Sequence, residues 1–462
     1  MAISIFLAMN LVRVALLSGT GEATYFQADY ALPPIFLWAA LRLRAPRWFA
    51  AIGTFLLSLL AVCCDAVLVI GRRFRWGPDA LPQYLQGYQD LPWSVIVPTA
   101  ALLLAGAALV SLPLGLKRRR PFALWPLPTL LVVLLAIDTQ IGTSRFRDGT
   151  AGINLITTAI PSIAPIYLNG AVQGGSLQTF HRKTMYSDVD RHNPPPQILS
   201  ISLESFGLAR EPNRRAALIE PLIRELGGLY KVEQGAHDYF GATLQGEVRE
   251  LCGERLFGNA AQDGVLRQLS QCLPSQLRRR GYDTVALHGN GGRFYSRWAV
   301  YPAMGFRQSF FYDDLAAADP AVTACPETAF NAACDERVYS RAIGLFDGQK
   351  RFVHVMTLDS HLPVLDAEPG SCSSIFAENS SLCGYAKLLQ RSLAQLGLAL
   401  HNAKVQPDVV FIYGDHAPPF ASELARKVFS AEAVPYLILR KRNPDQDRQP
   451  STANDAAARV VQ

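Results

Sequence analysis

VVFIYGDHAPPF, residues 409–420, is an apolar run of β-branched and aromatic residues that stops at an adjacent carboxylate and imidazole, Asp415 and His416, and then at two prolines. Such a run reads as a buried strand. A buried strand ordinarily ends in turn residues, so Asp-His at its end asks for a local hydrogen-bond explanation or for a cation. Upstream, QILSISLE (197–204), YDTVALHG (282–289) and RFVHVMTLDSH (351–361) have the same strand character, as does AVPYLILR (433–440) downstream. Helix-like stretches separate several of them: EPNRRAALIEPLIRELGGL (211–229), PSQLRRRG (274–281) and GYAKLLQRSLAQLGLALHNA (384–403). Strands alternating with helices predict an α/β domain whose mainly parallel central sheet is flanked by helices.

Ligands of such sheets collect at the carboxyl ends of the strands. The expected ends carry Glu204, His288, His361 and the Asp415-His416 pair. Each has a plainer explanation when taken alone: Glu204 as a cap, His288 on a turn before Gly289, His361 bonded to backbone. Polar groups at four strand ends together favour one site. Carboxylate with imidazole suits zinc or a divalent transition metal better than calcium, which prefers an all-oxygen shell.

The first 143 residues differ from the rest: Leu, Ala, Val and Phe dominate, and all eight histidines fall later. Apolar runs at 2–19, about 25–42, 48–70, 93–116 and 122–143 are mostly near the ~20 residues that cross a bilayer core, which predicts a transmembrane region of about five helices. The second run holds Asp29 and Pro33-Pro34, which an isolated helix resists. LRLRAPR (41–47) and KRRR (117–120) fall on the cytoplasmic side by the positive-inside rule, so everything after residue 143 is expected outside; GRRFRWG (71–77) runs against that pattern. The first run lacks the basic start and cleavage site of a signal peptide and reads as an anchor. The expected organisation is 1–143 membrane region, 144–196 interfacial helix and linker, 197–440 extracytoplasmic catalytic domain and 441–462 polar tail. The net charge of +6 comes largely from loop arginines and no nucleic-acid recognition fold accompanies it, so nucleic acid is not an expected partner. Cys252, Cys272, Cys325, Cys334, Cys372 and Cys383 all lie in the expected external half. An even number there suggests three disulfides, with fifteen possible pairings; short loops favour Cys252–Cys272, Cys325–Cys334 and Cys372–Cys383.

ILSISLESFG, GATLQGE, LPSQLRRRGYDTVALHGNGGRFYSRWAVYPAMGF, VMTLDSHLPV and VFIYGDHAPPF together resemble, in order, the motifs of the lipoteichoic acid synthase and phosphoglycerol transferase group of the alkaline phosphatase and sulfatase superfamily. The resemblance spans about residues 195–440, and a five-span anchor before it also fits. It implies that Glu204, Asp415 and His416 are metal ligands and that Thr243 is the nucleophile and a further ligand. His288, Arg297 and His361 match residues that contact the head group or its phosphate, with Tyr295 lining the pocket. Around the nucleophile TLQGE replaces a more Ser-rich stretch. The resemblance further implies a divalent metal ion, Mn²⁺ foremost with Zn²⁺ or Mg²⁺ as alternatives, and a multi-pass enzyme of the plasma or inner membrane with a periplasmic or extracytoplasmic catalytic domain. The expected activity moves a phosphoglycerol or phosphoethanolamine head group from a phospholipid donor through a phosphothreonine to a glycan or glycolipid acceptor. A phosphoester hydrolase and an inactive membrane scaffold are the alternatives. Ser205, beside Glu204, is a rival nucleophile. CLPSQ (272–276) looks like the sulfatase signature, but Gln276 stands where that signature needs Arg, and the stretch reads as a helix start.

Overall fold

The computed structural model describes residues 32–74 and, with short interruptions, 176–442. The apolar runs at 2–19, 93–116 and 122–143 lie outside the described residues, as does the tail beyond 442. The second and third runs coincide with α1 (Leu32–Arg42) and α2 (Arg47–Phe74). Pro33 and Pro34 fall in the first turn of α1, where a missing N–H is tolerated. Leu37 and Ala40 pack against Ala50 and Ala61. Among the described residues, no helix is long and apolar enough to cross a membrane.

The strands are β1 (Ser176–Thr179), β2 (Gln197–Leu203), β3 (Tyr230–Asp238), β4 (Glu254–Phe257), β5 (Asp283–His288), β6 (Gln308–Phe310), β7 (Arg351–Met356), β8 (Val409–Gly414) and β9 (Ala433–Lys441). The helices that position the site are α3 (Pro212–Leu226), α4 (Thr243–Cys252), α5 (Arg297–Met304), α6 (Asp335–Ile343) and α7 (Ser380–His401). Seven strands form one sheet in the order β3-β9-β8-β2-β7-β5-β6. From β8 to β6 every pairing is parallel, while β9 runs antiparallel to both β8 and β3. The mainly parallel α/β sheet expected from the sequence is therefore present.

Alternation along each strand divides the core between the two faces. Leu199, Ile201, Leu203, Val353, Val355, Val410 and Ile412 pack on one face with α3, α6 and α7. Ile198, Ala286, Phe352, Val409 and Phe411 pack on the other with α4 and α5. In β2 this second face also receives Ser200 and Ser202, both buried. For Ser200 the reason is polar: its Oγ lies 3.1 Å from His354 Nδ1.

Register then sets the site. His288 pairs with Met356, Met356 with Ser202, and Leu203 with Gly414. The last residues of β5, β7, β2 and β8 are thus level to within one residue, and Glu204 and Asp415 follow directly after β2 and β8. Strand β7 is shorter than the expected 351–361. It stops at Met356 because, beyond Thr357, whose N still donates to Ser202 O at 3.0 Å, the backbone bonds elsewhere: Asp335 accepts from Leu358 N at 2.8 Å and Asp359 N at 3.2 Å. His361 consequently lies in the loop beyond the strand rather than at its end. Within the segment 144–196, expected as an interfacial helix and linker, residues 176–179 form β1 and pair with β4.

Two expected disulfides are present, Cys252–Cys272 and Cys325–Cys334. Cys383 is disulfide-bonded as well, and Cys372 lies outside the described residues.

Gly414 closes β8 where a Cβ would collide with the Phe206 carbonyl oxygen. Gly414→Ala is expected to cost about 2–3 kcal/mol through overpacking against rigid backbone. Thermal unfolding checks this, with a midpoint several degrees lower than that of the parent chain.

Candidate active site

Glu204, Asp415 and His416 are buried together, each offering a ligand atom within 4.8 Å of the others. His416 Nε2 lies 3.5 Å from Glu204 Oε1 and 3.4 Å from Asp415 Oδ2. Asp415 Oδ1 accepts from Ser205 N at 2.8 Å and His416 N at 2.7 Å, which orients the carboxylate and leaves Oδ2 buried without a hydrogen-bond partner. Burial first, and Asp415 second, hold the Glu204 carboxyl well above its ordinary range. Two crowded carboxylates, one with an unsatisfied buried oxygen, and an imidazole are the donor set of a divalent transition metal or zinc. The residues present therefore fit the cation expected from the sequence.

Thr243 is the first residue of α4, and its Oγ1 donates to Glu204 Oε2 at 3.4 Å. Gln245 reaches back to accept from Ala242 N at 3.1 Å, capping the helix start. A helix N-terminus favours negative charge, so the threonine hydroxyl stands where a phosphate is stabilised. The rival hydroxyl is also near: Ser205 Oγ donates to Glu204 Oε1 at 2.7 Å. Ser205 has φ 55°, a strained value for a non-glycine residue. It is held there by its N–H bond to Asp415 and by Tyr385 OH, which donates to its carbonyl at 2.7 Å. Ser205 is completely buried, whereas Thr243 retains 6% exposure.

Arg297, His288 and Tyr295 belong to one buried assembly. Arg297 is 1% exposed, and its Nε and Nη2 donate to Glu247 Oε2 at 3.3 and 3.1 Å. Its Nη1 lies 3.4 Å from His288 Nε2, and Tyr295 stacks beside it with the ring centroid 5.1 Å from Cζ. Burial, and then Arg297, bring His288 down to about 3. The ring is therefore neutral, with Nδ1–H donating to Met356 O at 3.1 Å and Nε2 accepting from Arg297. His361 faces Phe330 edge-on at 4.6 Å. Burial first, and then His416, lower it to about 4, so it too is a neutral imidazole.

Sequence reading missed Glu247. It stands one turn beyond Thr243 and is fully buried. Besides Arg297 it accepts from Tyr301 OH at 2.5 Å and lies 3.1 Å from His354 Nε2. Burial alone would raise its carboxyl, but Arg297 and His354 outweigh it and bring the group to about 2. Glu250 behaves alike: His237 and Arg249 outweigh its burial and bring it to about 2. The available signal was helical spacing of acidic residues after a candidate nucleophile, which also describes an ordinary surface helix.

Residues 240–462, a little under half of the chain, match the Sulfatase family model. The CLPSQ stretch does not act as the sulfatase signature, because Cys272 is bonded to Cys252 and precedes the helix Leu273–Arg279. No curated relative matches the chain. Similar solved structures include the lipoteichoic acid synthase LtaP from Listeria monocytogenes, 17% identical with TM-score 0.39 over 57% of this chain and 69% of that one. Another is the Streptococcus pyogenes phosphoglycerol transferase GacH in complex with sn-glycerol-1-phosphate, 17% identical with TM-score 0.37 over 57% and 72%. The C-terminal periplasmic domain of EcEptC from Escherichia coli, in complex with Zn, is 12% identical with TM-score 0.36 over 61% and 80%. These likenesses are too remote to carry a functional assignment.

Because Glu247 and Glu250 sit near 2 against an ordinary 4.5, the unfolded chain takes up protons before the native one. Their stabilisation is complete above about pH 4.5 and is lost as pH falls toward about 2. Glu247→Gln and Glu250→Gln should each lower the unfolding midpoint at neutral pH and flatten its fall across that window. A fall as steep as the parent's would refute the pairing.

Proposed function

We propose that the protein is a membrane-anchored, metal-dependent transferase that moves a phosphoglycerol or phosphoethanolamine head group from a phospholipid to a glycan or glycolipid. The observation that carries this reading is the Thr243 hydroxyl at the start of α4, donating to Glu204 beside Asp415 and His416. Glu204, Asp415 and His416 would hold the divalent cation, with the Thr243 oxygen as a further donor. The cation would supply Lewis-acid neutralisation of phosphate charge and a lowered hydroxyl pKa.

The chain's own groups set up a two-stage exchange. Thr243 Oγ1 already directs its proton at a carboxylate, which readies the oxygen for attack on the head-group phosphorus. The Oγ1–P bond forms, the P–O bond to diacylglycerol breaks, and the leaving oxygen takes up a proton. An acceptor hydroxyl then forms its own bond to phosphorus, loses its proton, and releases Thr243. The N-terminus of α4 stabilises the phosphothreonine between the stages. Arg297, locked to Glu247, directs its remaining Nη1 edge to the region of His288, where the phosphate oxygens of the donor would be met. Neutral His288 and His361 serve as hydrogen-bonding groups in this state. Diester donors dissolved in the bilayer give a reason for an anchor, which the apolar runs of the first 143 residues support. The disulfides support an oxidising, extracytoplasmic compartment.

The test incubates the full-length chain in detergent with Mn²⁺ and either phosphatidylglycerol or phosphatidylethanolamine, followed by peptide mapping by mass. A head-group phosphate adduct on Thr243, absent from Thr243→Ala, is expected, and its mass names the donor. Thr243→Ala should lower transfer on the order of 10³-fold or more. An adduct on Ser205 would reverse the choice of nucleophile, and release of free head-group phosphate without transfer to a glycan would make the protein a hydrolase.

A further inference from the structure

Arg249 takes no part in the chemistry above, yet its guanidinium is committed to the backbone that presents two of the three ligand residues. Its side chain is 3% exposed. Nη2 donates to Gly414 O at 2.7 Å and Nη1 to Asp415 O at 3.1 Å. Nε donates to Glu250 Oε1 at 2.8 Å. Glu250 is itself fixed, since it lies 2.8 Å from His237 Nε2 and accepts from Met185 N at 3.0 Å. One turn earlier, a Cβ on Gly246 would stand 2.7 Å from the Asp415 Cα, so the helix backbone rests directly on the same turn.

We propose that Arg249 is a positioning residue for the divalent-cation site: by holding the Gly414 and Asp415 carbonyls it fixes the direction of Asp415 Oδ2 and His416 Nε2. This rests on the reading of Glu204, Asp415 and His416 as cation ligands. Gly414 is the last residue of β8 and Asp415 lies just beyond the ladder, and a planar fork is suited to pinning two successive oxygens. Groups that orient metal ligands without touching the metal commonly change affinity by about 10–100-fold when removed. Because α4 also begins with Thr243, the same contact places nucleophile and ligands in one rigid frame.

The sign of the effect separates positioning from charge. Removing a nearby cation should tighten binding of another cation, by simple repulsion. Removing a positioning group should weaken it. A role confined to holding the fold together would lower the unfolding midpoint and leave cation affinity unchanged well below that temperature.

The experiment is calorimetric titration of the full-length chain in detergent with Mn²⁺, and in a second series Zn²⁺, well below each variant's unfolding midpoint. Arg249→Met is expected to weaken binding about 10–100-fold. Arg249→Lys should fall between it and the parent chain, because an ammonium cannot span both carbonyls in the fork geometry. Unchanged or tighter binding by Arg249→Met, with the parent chain binding normally, overturns the proposal. If Arg249→Met does not fold, Arg249→Lys and Glu250→Gln carry the test: several-fold weakening supports positioning, and parent-like affinity in both overturns it. A parent chain that binds neither ion removes the cation reading and this proposal with it, whereas normal parent binding with unaffected variants removes this proposal alone.

Discussion

The helix that begins at Thr243 is packed onto the end of β8 so closely that all ten of its residues are buried. Three of them are charged, and each reaches a different part of the molecule. Glu247 holds Arg297, Tyr301 and His354; Arg249 holds the carbonyls of Gly414 and Asp415; Glu250 holds His237 and the Met185 amide. Burying such groups is costly unless every one is paired. Here the pairs are complementary, so a correctly docked helix satisfies all three at once and a shifted one strands them. The polar contacts therefore select a single placement of the helix, while apolar contacts from Leu244, Val248 and Leu251 supply attraction without that selectivity.

The same placement explains features of the sheet that look like flaws in a hydrophobic strand. Ser200 and His354 face α4 from neighbouring strands, where branched aliphatic side chains would otherwise pack. They continue the polar chain that starts at Glu247. On the opposite face the strands contribute Leu, Ile and Val, and the helices α3, α6 and α7 form an ordinary apolar layer. One face of the sheet is thus given to stability and the other is partly given to ordering the site, both through strict side-chain alternation.

Much of this was legible in the sequence because strand ends in a parallel sheet are easy to see when apolar runs stop abruptly. Glu204, His288 and Asp415-His416 were found that way, and register brings their strands level. By the same pattern His361 reads as a strand end, whereas capture of Leu358 and Asp359 by Asp335 ends β7 earlier. Strand β3 escaped notice because it is a sheet edge, and its Lys231, Gln234 and Asp238 dilute the period-two pattern. The helix α4 escaped notice for the opposite reason. Its sequence TLQGEVRELC has the charge content of a solvated helix, and only tertiary pairing reveals that those charges face inward. The roles of the site residues come from resemblance and chemistry, whereas their convergence comes from topology.

The bond between Cys252 and Cys272 ties down the far end of the helix whose near end carries the candidate nucleophile. Without that bond the two thiols are free to separate, and the helix end is held by packing and by the contacts of Arg249 and Glu250. Oxidation removes that freedom. The frame around Thr243 is therefore covalently complete only once the Cys252–Cys272 bond has formed, and oxidation state becomes a condition on the geometry of the helix that carries it.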